Sequence, residues 1–235
     1  MRTASISLAV AAAWAWAAAA AQPPVGFQEA VWGMSQAEVR GAVDPSQWRT
    51  VPAENDFPEE LGIKVFGSNE TIAGYPAEVR YYFVEDRFCQ ATVDFDFSHL
   101  ASYDFNYNVF RSVDEYYRVI RDETLTFVHD IFDLLRKKYG KKEPVFEGLD
   151  PREVFLRTDE RVRRDRWNFR YHPSEYYKNI IASSYARWDF PKTRVLFSVN
   201  ISAADKRFDY RLSLASLDLQ EYINTRKDRL RSQDL

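Results

Sequence analysis

The chain has 235 residues, of which 46% are apolar, 29% charged and 16% aromatic, and it carries 32 basic against 35 acidic side chains. That balance excludes disorder, collagen, a multi-span membrane protein and an obligate nucleic-acid binder. A lone cysteine, Cys89, excludes an internal disulfide and an all-cysteine metal site, and eight glycines leave little room for phosphate-cradling loops.

Residues 1–21 read as a secretory signal peptide. Arg2 supplies the positive start, Ile6 to Ala21 is small and apolar apart from Ser7, and Ala19-Ala20-Ala21 offers a small-residue cleavage site before Gln22-Pro23-Pro24. The alternative is an uncleaved anchor, but a mostly alanine run falls short of the ~20 apolar residues that span a bilayer. No cysteine directly follows the run, which excludes a lipid-anchored lipoprotein. The expected location is therefore periplasmic or secreted, with residues 22–235 forming one α+β domain.

An extended lead-in over 22–34 comes first. Ser35-x-x-Glu38 is then a capping box, in which each side chain satisfies a backbone donor of the other, and it predicts a short helix stopped by Gly41 and Asp44-Pro45. Residues 46–75 read as loop-rich, with Ile63 to Phe66 the best short strand. Ala77 to Val84 and Arg87 to Phe97 alternate about a Glu85-Asp86 turn and predict a hairpin. Its second strand would place Cys89, Ala91, Val93, Phe95 and Phe97 on an apolar face, which makes the thiol a buried, inert one. Phe88, Gln90, Thr92, Asp94 and Asp96 would then face water or a partner.

A long helix is predicted over 112–139, from a second Ser-x-x-Glu box at Ser112 to Gly140. Val113, Tyr117, Ile120, Thr124, Phe127, Ile131, Leu134 and Lys138 recur at alternating spacings of four and three, and Val128, Phe132 and Leu135 widen the stripe. Such a face packs on a sheet, over about 40 Å of helix. Val154 to Leu156 reads as a weak strand and Arg166 to Tyr171 as a better one, and 174–184 is open between helix and strand. Arg194 to Ser202 and Phe208 to Leu214 alternate as strands, and a last helix is expected over 218–231. The fold class is α+β, antiparallel sheet packed against a long helix, divisible into two tandem helix-plus-meander halves at 27–100 and 112–217.

The segment Phe27-x-x-x-x-Trp32-Gly33-Met34-Ser35-x-x-Glu38-Val39 resembles the start of many uncharacterised exported bacterial proteins. Lys138-Tyr139-Gly140 and Trp188-Asp189-Phe190-Pro191 extend the resemblance. It implies export and an αβ layout and supplies no catalytic residues. The tandem layout is also similar to the beta-lactamase inhibitory protein fold, which belongs to an inhibitor; this is analogy at the level of fold.

Chemistry-bearing residues are few. His129, beside Asp130 and one turn from Asp133, reads as a surface ion pair rather than a metal site. Asp94 and Asp96 share a strand face at i and i+2, and with His99 they have the residue types to hold a cation or to hydrolyse an envelope substrate; a solvated face explains them as well. His172, before Pro173, reads as a turn residue. Serine-nucleophile, Walker, Rossmann, zinc-finger and calcium-loop motifs are absent. No catalytic residue, metal ligand or cofactor is assigned.

Two segments are candidate binding surfaces. If 164–170 is a strand, Arg164, Arg166 and Arg170 share a face suited to an anionic envelope polymer, against a plainer reading in which such arginines pair with an acidic ladder such as Asp94 and Asp96. Tyr103, Phe105 and Tyr107 precede the long helix and either anchor a partner or fold onto the core. The leading expectation is an exported, non-catalytic binding or envelope-interaction protein, whose partner is an envelope protein or an anionic envelope polymer and not nucleic acid. A hydrolase using the carboxylates and histidine of 90–99 is the alternative.

Overall fold

Apolar residues at every second position bury one side of a strand and leave the other wet, and this pattern runs through most of the chain outside its helices. The structure, a computed structural model, describes residues 26–43, 48–52, 61–102, 110–148, 150–164, 171, 181–203 and 205–233. In chain order these form β1 (Gly26–Phe27), β2 (Ala30–Val31), α1 (Gln36–Ala42), β3 (Arg49–Val51), β4 (Lys64–Ile72), β5 (Tyr75–Val84), β6 (Arg87–Phe95), α2 (Ser98–Ser102), α3 (Phe110–Tyr139), β7 (Val145–Gly148), α4 (Pro151–Arg164), β8 (Ile181–Asp189), β9 (Thr193–Ser202), β10 (Arg207–Ser216) and α5 (Leu217–Gln233).

Strands β3 to β10 make one antiparallel sheet of eight in the order β3-β4-β5-β6-β10-β9-β8-β7. Each half of the chain supplies a four-stranded meander, and the last strand of each, β6 and β10, meet at the centre with Tyr210 opposite Phe95 and Leu212 opposite Val93. The turns suit this strand twist. Glu85 and Asp86 both take positive φ, at 48° and 61°, as does the Ala73-Gly74 pair between β4 and β5. Lys64–Ile72 is thus a nine-residue strand where only its first residues read as one in sequence, because Gly67, Ser68 and Asn69 carry no hydrophobic alternation.

α3 closes one face of the sheet. Tyr117, Ile120, Thr124, Phe127, Val128, Ile131, Phe132 and Leu135 are all buried. The Phe127 ring lies 4.8–5.8 Å from those of Tyr75, Phe95, Phe97, Phe197 and Tyr210, so one side chain ties the helix to both meanders. The helix ends at Gly140, at φ 88°, whose N–H returns to the Arg136 carbonyl. It begins at Phe110, so Ser112 lies inside its first turn rather than ahead of it.

The lead-in is a small hairpin and a plug. Phe27 is buried against Tyr81, and Trp32 packs on Phe88 and donates Nε1–H to Thr193 Oγ1 at 2.7 Å. Gly33, at φ 89°, turns the chain so that its N–H and the Met34 carbonyl bracket Phe88. Both bonds of the Ser35–Glu38 capping box are present. The Trp32-Gly33-Met34-Ser35 opening therefore seals the first helix against the hairpin strand β6.

Two sequence expectations are corrected. Val154 to Leu156 is not a strand but the second turn of α4. Asp150-Pro151 starts that helix, with Asp150 Oδ1 accepting from the Arg152 N–H at 2.9 Å. Phe155 is buried against α3 and Leu156 faces outward, 61% exposed, an alternation that over three residues reads as a strand and leaves the helical period unmarked. Cys89 is buried as expected, but on the opposite face from Ala91 and Val93. Tyr82 pairs with Gln90 and the next residue, Phe83, with Phe88, so Cys89 is the extra residue of a β-bulge. Phe88 takes the place in the main core that alternation assigns to Cys89.

α5 packs on the second face, at the β4-β5-β6 end. Leu219 and Ile223 close a separate cluster with Leu61, Val65, Tyr82, Val84 and Cys89. Gln220 donates to Gln90 at 3.1 Å, Arg87 lies 4.7 Å over the Tyr222 ring, and Arg226 pairs with Glu85. No helix among the described residues is long and apolar enough to cross a membrane.

Candidate binding face

Because the pleat sends alternate side chains to opposite faces, burying Phe95, Tyr210, Phe197 and Ala186 against α3 forces their neighbours onto the other side. Register then lines them up in a row across six strands: Glu78, Asp94, Arg211, Ser198, Tyr185 and Glu147 from β5, β6, β10, β9, β8 and β7 in turn. A parallel row holds Arg80, Thr92, Ser213, Leu196 and Arg187. Among the described residues, α5 covers only the β4-β5-β6 end of this face.

Its charges form an alternating ladder. Arg49 reaches Glu78 at 2.6 Å, Arg80 reaches Glu78 at 2.9 Å and Asp94 at 3.8 Å, and Arg211 donates Nε–H to the other oxygen of Asp94. Glu78, Arg80 and Asp94 are each about a quarter exposed. Burial acts to raise the Glu78 pKa, but Arg80 and Arg49 outweigh it and hold the carboxyl below its ordinary value, while the same pairing raises Arg80. The arginines on Asp94 are thus Arg80 and Arg211, not those of the 164–170 segment from which such pairing was expected.

Beyond the ladder, a depression of about 790 Å³ opens over β8, β9 and β10, lined by Arg80, Asp94, Tyr185, Leu196, Ser198, Asn200, Arg207, Asp209 and Arg211 among others. Tyr185 and Leu196 are diagonal neighbours, 44% and 36% exposed. Sequence reading passed over both, yet the signal is present: each is a large apolar residue on the polar phase of its strand, between Ser183 and Arg187 and between Arg194 and Ser198.

Asp94, Asp96 and His99 do not converge. Asp94 and Asp96 do border one shallow depression, beside Glu78. Asp94 is taken by Arg80 and Arg211, whereas Asp96 caps α2, accepting from the Ser98 N–H at 2.9 Å, which holds its carboxyl below the usual range. His99 turns away to Glu123 of α3, 2.5 Å from Nε2. The chain reverses into α2 directly after β6, and that reversal carries the histidine to the helical side of the sheet. Among the described residues no group of three or more His, Cys, Asp or Glu side chains is placed to hold a metal. His129 sits 3.4 Å from Asp133, the exposed helical pair expected.

Arg164 is not on a strand. It ends α4, 80% exposed, and pairs with Glu160 one turn earlier at 2.9 Å. Arg166 and Arg170, the rest of the proposed arginine face, lie outside the described residues, as do Tyr103, Phe105, Tyr107 and His172. Comparison of this chain with protein-family models, with curated proteins and with solved structures returned no match.

Proposed function

We propose that this protein is a non-catalytic binding module of the bacterial envelope, periplasmic or secreted, that engages a protein partner through the uncovered part of its sheet. The observation that carries the reading is the chemistry of that face. Its described cations are all arginines: Arg80, Arg187, Arg194, Arg207 and Arg211 on the strands around an exposed tyrosine and leucine, and Arg49 at the far edge. Protein interfaces are enriched in arginine and tyrosine and depleted in lysine, because a planar guanidinium and a rigid ring give up little conformational entropy on burial. Each carboxylate of the ladder is already bound to arginine, which gives a hydrolase no free general acid or base there. The export-type leader, and the similarity of the Trp-Gly opening to exported bacterial proteins, support the location.

The test is crosslinking capture from envelope extract at low and high salt, comparing the wild type with Tyr185→Ser/Leu196→Ser. A partner that survives high salt and is lost by the double variant supports the reading; identical capture by both proteins overturns it. A second variant, Tyr103→Ser/Phe105→Ser/Tyr107→Ser, addresses the aromatic segment before α3. It is expected to weaken capture at an unchanged urea midpoint, and unfolding instead assigns those residues to the core.

A further inference from the structure

Resting on that binding role, we infer that the depression over β8, β9 and β10 receives an acidic segment of the partner, with a carboxylate on Arg207 and Arg211 and an apolar side chain against Tyr185 and Leu196. The charge of the depression is the first argument. Its lining holds Arg80, Arg207 and Arg211 against Asp94 and Asp209, a positive excess on a chain whose net charge is −3. That excess favours an acidic ligand locally.

Accessibility is the second. The Arg207 side chain is 69% exposed and meets Asp209 at the surface; that of Arg211 is 40% exposed and shares the half-buried Asp94 with Arg80. An exposed pair such as Arg207–Asp209 contributes little net stability, so a partner carboxylate displaces or shares it at little cost. A guanidinium offers five N–H donors in a planar fork, and one arginine can serve two carboxylates.

Geometry supplies the third. Arg211 and Tyr185 flank Ser198 on opposite sides, a separation of two strand spacings or roughly 10 Å, with Leu196 beside Tyr185 along the sheet. A single exposed ring is a poor stacking platform for a glycan chain, and the aliphatic Leu196 next to it favours an apolar side chain.

The experiment selects a random dodecapeptide phage library on the protein expressed with its own leader. Enriched peptides are then measured against Tyr185→Ser/Leu196→Ser and Arg207→Gln/Arg211→Gln, each checked for an unchanged urea midpoint. The expected peptides combine Asp or Glu with Leu, Phe or Trp, and lose at least about tenfold in affinity on either variant. Enriched peptides without acidic residues, binding that ignores Arg207→Gln/Arg211→Gln, no enrichment above background, or binding to an oligosaccharide array in place of peptides overturns the inference. The two readings fail separately. Capture from extract that is lost with Tyr185→Ser/Leu196→Ser but kept with Arg207→Gln/Arg211→Gln sinks the acidic segment and leaves the binding role standing.

Discussion

The bulge in β6 turns its extra residue, Cys89, under α5, where Sγ donates to the Tyr82 carbonyl at 3.2 Å. Burial pushes its thiol up to about 12, so almost no thiolate exists near neutral pH. A disulfide-exchange reagent at pH 8 is expected to leave Cys89 unmodified in the native protein and to modify it fully in urea. Rapid native labelling would mean that α5 does not hold its place. Burial of this residue was legible in sequence from the apolar run around it. The face it occupies was not, because a bulge depends on how two strands twist against each other and leaves no mark in the alternation of one of them.

At the scale of elements, α3 was the most legible part of the chain. A stripe recurring every three to four residues over eight turns has no competing interpretation, and Gly140 marks the end. Its central residue, Phe127, is fully buried among five aromatic rings drawn from both meanders. Phe127→Ala is expected to cost about 3–5 kcal/mol, read as a lowered urea midpoint, since the cavity lies where helix and sheet meet and neither can collapse into it. A cost near that of a surface substitution would show that α3 is not the wall of the core. α4 was missed for the opposite reason. Arginine and acidic residues fill most of its fourteen positions, and among its described side chains only Phe155 is buried, so the helical period had almost nothing to register on. Tyr117 of α3 holds it instead, donating its hydroxyl to Asp159 at 2.8 Å.

Across the whole molecule, the charge ladder predicts how stability depends on pH. The carboxyls of Glu78, Asp96 and Asp189 are held below their ordinary values, Glu78 by its arginines against the opposing effect of burial, Asp96 by the Ser98 N–H and Asp189 chiefly by Arg194. The unfolded chain takes up these protons first as pH falls, so the native state loses their contribution below the ordinary carboxylate values of 3.8–4.5 and keeps it above them. The urea midpoint is expected to be flat between pH 7 and pH 5 and to fall below about pH 4.5. Glu78→Gln should lower the midpoint at pH 7, by leaving Arg49 and Arg80 underpaired, and make the acid fall shallower. An unchanged slope would remove Glu78 from the ladder's contribution.

The fold class, the helix that builds the core and most of the strands follow from short-range regularities, each a period or a cap confined to a few neighbouring residues, and these are written along the chain. Pairing of charges is a different matter. Asp94 carried the same label in sequence as any exposed strand carboxylate; Arg80 reaches it from the neighbouring hairpin strand, and only the antiparallel meeting of β6 with β10, residues 117 apart in the chain for the Asp94–Arg211 contact, put a second guanidinium on its other side. His99 parted from the two aspartates for the same kind of reason, because the direction of a chain reversal is set by what packs beneath it. Tyr185 and Leu196 became neighbours, and an exposed patch, only when β8 and β9 came into register and α5 folded over the other end of the face. Local sequence decides which residues can make a strand or a helix; the long-range pairing of strands decides which side chains share a surface, and the candidate binding face is made of those.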